Sequence, residues 1–125
     1  MEKTNKKRLL LAEDERAIAK ALTLKLNLSG FEVEAVSNGE DALSAIKDKK
    51  FDLLLLDIMM PKMDGFTVME EMKKMKNKTP VIILSNLSQE EDAKRAKELG
   101  AVDFFIKSNT PLTEIINQIN KFLKA

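Results

Sequence analysis

Short apolar runs alternate along the chain with longer stretches of mixed apolar and polar residues, and this alternation predicts repeated βα units around a parallel sheet. Strands are expected at 8–12, 32–36, 52–56, 81–84 and 102–106. Three of these contain unbroken apolar runs, Leu9-Leu10-Leu11, Leu53-Leu54-Leu55-Leu56 and Val81-Ile82-Ile83-Leu84, as strands covered by helices on both faces require. Glu32-Val33-Glu34-Ala35-Val36 alternates instead, which marks one wetter face and places that strand at a sheet edge.

Capping and breaking residues punctuate the intervening helices. The segment 15–28 carries Ile18, Leu22 and Leu26 on one face and stops at Ser29-Gly30, a glycine suited to the left-handed C′ position. Ser37 stands three residues before Glu40 and Ser88 three before Glu91, so each is expected to open a helix through a capping box. Asp64-Gly65 leads into a helix over 66–75, and Thr110-Pro111 opens the last helix with Pro at its first position. In that helix Leu112, Ile115, Ile116, Ile119, Phe122 and Leu123 form a wide stripe, expected to bury itself against the sheet. Right-handed crossovers with helices on both faces make the chain wind one way and then reverse. The expected fold is therefore α/β, a doubly wound, flavodoxin-like five-stranded parallel sheet of order 2-1-3-4-5 with five helices. Its crevice lies beyond the carboxyl ends of strands one and three.

A length of 125 residues allows one core, over 8–125, preceded by a polar lead-in at 1–7. The apolar stretch Leu9–Ala12 is too short for a signal-peptide core or a membrane span. With no Cys and no His, thiol catalysis, Ser-His triads and imidazole or thiolate metal sites are excluded, and a reducing, cytoplasmic setting is expected. A formal net charge of +1 gives no long-range field favouring nucleic acid or a membrane surface, so neither is expected as a direct partner.

The chemistry gathers where the strands end. Strand one runs into Glu13 and Asp14, strand three into Asp57, strand four into Ser85 and strand five into Lys107. Two carboxylates ~4 Å apart repel by about 4 kcal/mol at an effective dielectric near 20, so a cation must help hold them. An oxygen-only, incomplete ligand set suits Mg²⁺ better than Ca²⁺. Beside such an ion, Asp57 can accept a phosphoryl group while Lys107 neutralises the developing charge. Ser85 can then supply a hydrogen bond to the added group if its loop moves inward.

These residues resemble the receiver domain of two-component response regulators. Asp57-Ile58-Met59-Met60-Pro61-Lys62-Met63-Asp64-Gly65 matches the family's phosphoacceptor loop from end to end, and Glu13-Asp14, Ser85 and Lys107 match in order and context. The resemblance implies a receiver domain over 8–125, a phosphoacceptor that assists its own phosphorylation and dephosphorylation rather than an enzyme. It implies Mg²⁺ held through Glu13 or its water, Asp14, Asp57 and the backbone carbonyl of Met59. Asp57 would take its phosphoryl group from a histidine kinase or a histidine phosphotransfer protein. It also implies Phe104 as an aromatic switch that, with Ser85, alters the face made by helix four, strand five and helix five. That face would meet a downstream protein or a second copy in a phosphorylation-dependent homodimer.

Several positions depart from the family pattern. Ser108 follows Lys107 where a cis proline is usual, and a non-proline cis bond costs ~2.5–4 kcal/mol, so the Lys107–Ser108 peptide is either strained or trans. Phe104 lacks the hydroxyl of the commoner Tyr, and Asn86 is bulkier than the small residue usual after Ser85. Met59 and Leu87 occupy positions where polar side chains can orient a hydrolytic water, so slow loss of the phosphoryl group is expected. Core filling is the expected role of the cluster Met59, Met60, Met63, Met69, Met72 and Met75. The mixed charges of helix four, Lys94, Arg95 and Lys97 among Glu90, Glu91, Asp92 and Glu98, read as a solvated face. A phosphatase of the haloacid dehalogenase type needs a second Asp where Met59 stands. An FMN site needs a phosphate loop where Glu13-Asp14-Glu15 would repel it. A receiver-fold interaction module that is never phosphorylated stays open, as does the choice between a stand-alone receiver and one domain of a longer protein.

Overall fold

The computed structural model describes residues 6–86 and 90–124. Its strands are β1 (Arg8–Ala12), β2 (Glu32–Val36), β3 (Leu53–Asp57), β4 (Val81–Ser85) and β5 (Asp103–Ile106), and its helices are α1 (Arg16–Leu28), α2 (Gly39–Asp48), α3 (Gly65–Lys74), α4 (Glu90–Glu98) and α5 (Leu112–Lys124). All strands are parallel, in the order β2-β1-β3-β4-β5. The fold is the doubly wound, flavodoxin-like sheet expected from the apolar pattern, with the alternating strand β2 at its edge.

Each face of the sheet has its own core, because successive strand residues point to opposite sides. Leu10, Leu54, Leu56 and Ile83 pack beneath α2 and α3, while Leu9, Leu11, Leu53, Leu55 and Ile82 pack beneath α1 and α5. α1 buries Leu22 and Leu26, and α5 buries Ile115, Ile116 and Ile119. Phe122 departs from the expected stripe and is 39% exposed. Met69 and Met72 are buried as the core reading required, but Met59 and Met75 are exposed. α4 buries only Ala96 among its described residues. Its Arg95 pairs with Glu70 at 3.1 Å and lies 4.3 Å over the Phe66 ring, so one cation of that mixed-charge helix fastens it to α3.

Element boundaries shift where a side chain competes with the backbone. Asp52 falls outside β3, its carboxylate accepting the Arg8 N–H at 2.8 Å. β3 instead runs on to Asp57, and β4 to Ser85. Asn38, not Ser37, caps α2: its Oδ1 accepts the Asp41 N–H at 2.8 Å and its Nδ2 donates to the Asp41 carboxylate at 2.9 Å. The helix begins at Gly39, which puts Asn38 at the N-cap position, and its amide uses both its oxygen and its nitrogen on Asp41. Ser88, in the second expected capping box, and Leu87 lie outside the described residues. Pro111 sits one place before α5, its carbonyl accepting the first helical bonds from Glu114 and Ile115.

One close approach sets the site. Asp64 caps α3 by accepting the Thr67 N–H at 2.7 Å. The Gly65 N–H donates to the Ile58 carbonyl at 2.8 Å. A Cβ at Gly65 would stand 2.5 Å from the Asp57 carbonyl oxygen, so only glycine lets α3 start against the end of β3.

Candidate functional site

The parallel register carries four chain segments to one edge of the sheet. Asp57 pairs with Leu84 and Ser85 with Ile106, and the Lys107 N–H donates to the Ser85 carbonyl at 2.9 Å. The Glu13 N–H donates to the Val36 carbonyl at 3.0 Å, fixing the turn that follows β1. Glu13, Asp57 and Ser85 are buried, and Asp14 is exposed at the rim. Oxygens of Glu13, Asp14 and Asp57 lie within 4.8 Å of one another.

The Lys107 side chain, only 7% exposed, spans this group. Its Nζ donates to Glu13 Oε2 at 3.0 Å, Asp57 Oδ2 at 3.0 Å and Glu15 Oε1 at 2.9 Å, so all three ammonium protons are used. The Lys107–Ser108 peptide is trans. The ammonium therefore reaches Asp57 without the cis bond usual after this lysine in the family. Glu15 is the partner that sequence reasoning missed. The only signal was a third consecutive acid, which by itself does not say that its carboxylate meets a lysine 92 positions away.

Burial dominates the electrostatics. Desolvation pushes the Asp57 carboxyl up from 3.8 to about 7, against the hydrogen bond from Lys107 and with the help of the Glu13 charge. Burial would lower the Lys107 pKa, but its hydrogen bonds to Glu13, Glu15 and Asp57 outweigh that and raise it above the ordinary lysine value. Asp57 Oδ1 accepts the Met59 N–H at 3.3 Å. Glu13 Oε1 is buried 2.8 Å from Lys107 Nζ, yet no hydrogen bond is directed at it. A buried carboxylate oxygen without a donor, among two further carboxylates and with no nitrogen or sulfur ligand, fits a hard cation bound through oxygen. A cleft of about 560 Å³ lined by Glu13, Asp14 and Arg16 opens beside them.

An acidic pocket around a strand-end aspartate, bridged by a lysine at the reversal point of a doubly wound sheet, defines an aspartate-centred signalling domain. The chain belongs to the response regulator receiver domain family, which it matches over residues 9–120. These are signalling domains of two-component systems, switched by phosphorylation.

PhoP of Bacillus subtilis, an alkaline phosphatase synthesis transcriptional regulatory protein, is 34% identical over 119 residues, covering 95% of this chain and 48% of PhoP. The "Probable transcriptional regulator ycf27" of Cyanidium caldarium is 40% identical over 111 residues, 87% of this chain and 44% of that protein. The chain thus spans about half the length of these curated relatives. Among solved structures, the receiver domain of the Francisella response regulator 1452 superposes with a TM-score of 0.89 at 30% identity, over 94% of this chain and 97% of that one. The BeF3-activated DrrB receiver domain gives 0.85 at 26% identity, over 96% and 99%.

Proposed function

We propose that this domain is a switch in which Asp57 accepts a phosphoryl group from the phosphohistidine of a histidine kinase or phosphotransfer protein. The observation that carries this reading is the buried Asp57 carboxylate, fixed by Lys107 with Glu13 and Asp14 alongside. An Asp57 carboxylate oxygen attacks phosphorus as the P–N bond to the donor imidazole breaks, and the imidazole leaves with a proton. Glu13, Asp14, Asp57 and the Met59 carbonyl would hold Mg²⁺, which when bound supplies charge neutralisation to the phosphoryl oxygens. Lys107, already bonded to Asp57, holds its ammonium where negative charge grows.

Ser85, at the end of β4, would donate to the acquired oxygens once its loop moves. Phe104 answers by packing alone. A recess of about 390 Å³ lined by Ala93, Phe104 and Ile106 gives its ring room between α4 and β5. The altered α4, β5 and α5 face would then meet the downstream protein or a second copy. The similar DrrB receiver is one activated by BeF3, which supports activation of such a domain.

Incubation with Mg²⁺ and a small acyl phosphate, followed by intact mass measurement, tests the proposal. Wild type is expected to gain one phosphoryl group and Asp57→Asn none; no gain in either would leave an interaction module that keeps the fold without the chemistry. The gained mass is also expected to persist for minutes or longer once the donor is removed, because the exposed Met59 side chain offers no polar atom to orient a water. Decay within seconds would refute that part.

A further inference from the structure

Charge is divided unevenly between the two ends of the sheet, although the chain sums to only +1. The carboxyl end holds Glu13, Asp14, Glu15 and Asp57. At the amino end, the last turns of α2 and α3 and the connections that follow them carry Lys47, Lys50, Lys73, Lys76 and Lys78, all exposed, with Asp48 and Asp52 as the acids beside the first two. Among the described residues, none of these five ammonium groups has a hydrogen bond or an ion pair. Asn77 Nδ2 donates to the Ile46 carbonyl at 3.4 Å and ties the α3–β4 connection to the end of α2.

Helix polarity explains part of this. Lys47 and Lys73 stand in the last turns of α2 and α3, where a cation complements the helix dipole. Lys50, Lys76 and Lys78 lie beyond the helix ends. Lys76 holds φ 58°, the left-handed position that Gly30 and Gly100 fill after α1 and α4. A Cβ is strained there, so a lysine occupies a place where glycine would be the more stable choice. The same end is hollowed by a groove of about 420 Å³ lined by Met72, Val81, Leu99 and Val102 with two cations, Lys73 and Lys78, against one acid, Glu98. Val102, in that lining, is exposed.

We infer that this end of the domain docks an acidic peptide segment of a partner protein, with an apolar anchor residue in the groove and flanking carboxylates on the lysines. The groove decides the class of partner. A nucleic-acid backbone has no apolar side chain to place there, and a lipid surface is too flat to enter. Exposed Lys–carboxylate pairs contribute little each, so affinity rests on the anchor while charge sets orientation and encounter rate.

Fluorescence polarisation of the full chain with a labelled peptide of about a dozen residues, glutamates around one central phenylalanine, tests this, with a Kd of roughly 10–100 μM expected. Lys73→Glu combined with Lys78→Glu is expected to weaken binding about tenfold or more, and Phe to Ser in the peptide by a similar factor. That double variant should still take up a phosphoryl group as wild type does, which separates this surface from the site at the other end and shows that the fold is kept. Lys76→Gly is expected to raise thermal stability while weakening the peptide about threefold. Equal affinity for the Phe and Ser peptides, unchanged affinity in the variants, no saturation by about 1 mM, or tighter binding of a DNA duplex or of phosphatidylglycerol vesicles would overturn the proposal.

Discussion

Asp57→Asn is expected to make the metal-free domain more stable, not less, at pH 8. Burial, with the Glu13 charge, raises the folded-state pKa of Asp57 from 3.8 to about 7 against the pull of Lys107. Between those two values the folded protein holds a proton that the unfolded chain releases. The stability this brings is fully present below pH 3.8 and is lost as the pH climbs through about 7, where an ionised carboxylate is left in a buried site. The upper limit of that loss is about 4 kcal/mol. An amide forfeits part of the gain, because Lys107 Nζ exchanges a charged acceptor for a neutral one. A net gain of roughly 1–3 kcal/mol, several degrees in Tm, remains. Urea unfolding in chelator at pH 5 and pH 8 measures it. Wild type should weaken between the two pH values relative to the variant, and Mg²⁺ should close the gap. A variant less stable than wild type at pH 8 would contradict this account of the pocket.

Lys107→Ala is expected to separate metal binding from phosphoryl uptake. The ammonium donates to three carboxylates at 2.9–3.0 Å, so its removal takes the one positive charge they share from Glu13, Glu15 and Asp57. An added cation then meets more negative charge and no competing one, and Mg²⁺ should bind several-fold more tightly. Phosphoryl uptake should fall by about a hundredfold or more, because the donor aimed at the growing charge is gone. Calorimetric titration reads the first effect, since the chain has no Trp to report it, and intact mass against time reads the second. Uptake at the wild-type rate would remove Lys107 from the chemistry and leave it a structural counter-ion.

Much of this was legible along the chain. Continuous apolar runs of three or four residues were too short for buried helices and read as strands covered on both faces, and the alternation of β2 placed it at the edge. Acidic residues directly after two apolar strands pointed to one sheet edge, since parallel strands must end together. Other features were illegible for particular reasons. Asn38 caps α2 instead of Ser37 because the helix begins at Gly39, one residue later than the capping box required, a boundary that adjacent polar residues do not announce. Met59, Met75 and Phe122 carry core chemistry but face solvent, because each falls where a loop or helix end turns its face outward.

The sequence by itself determined the number of strands, their two-sided burial, the winding order and the identity of the strand-end residues. Hydrophobic period and local capping act between near neighbours, so they can be read without coordinates. Tertiary structure alone decided that Glu15 closes on Lys107, that this lysine reaches Asp57 across a trans peptide, and that a chain of near-zero net charge has an acidic end and a lysine-rich one. Coulomb energy depends on separation through space, and the fold brings together charges that lie 92 and 50 positions apart along the chain.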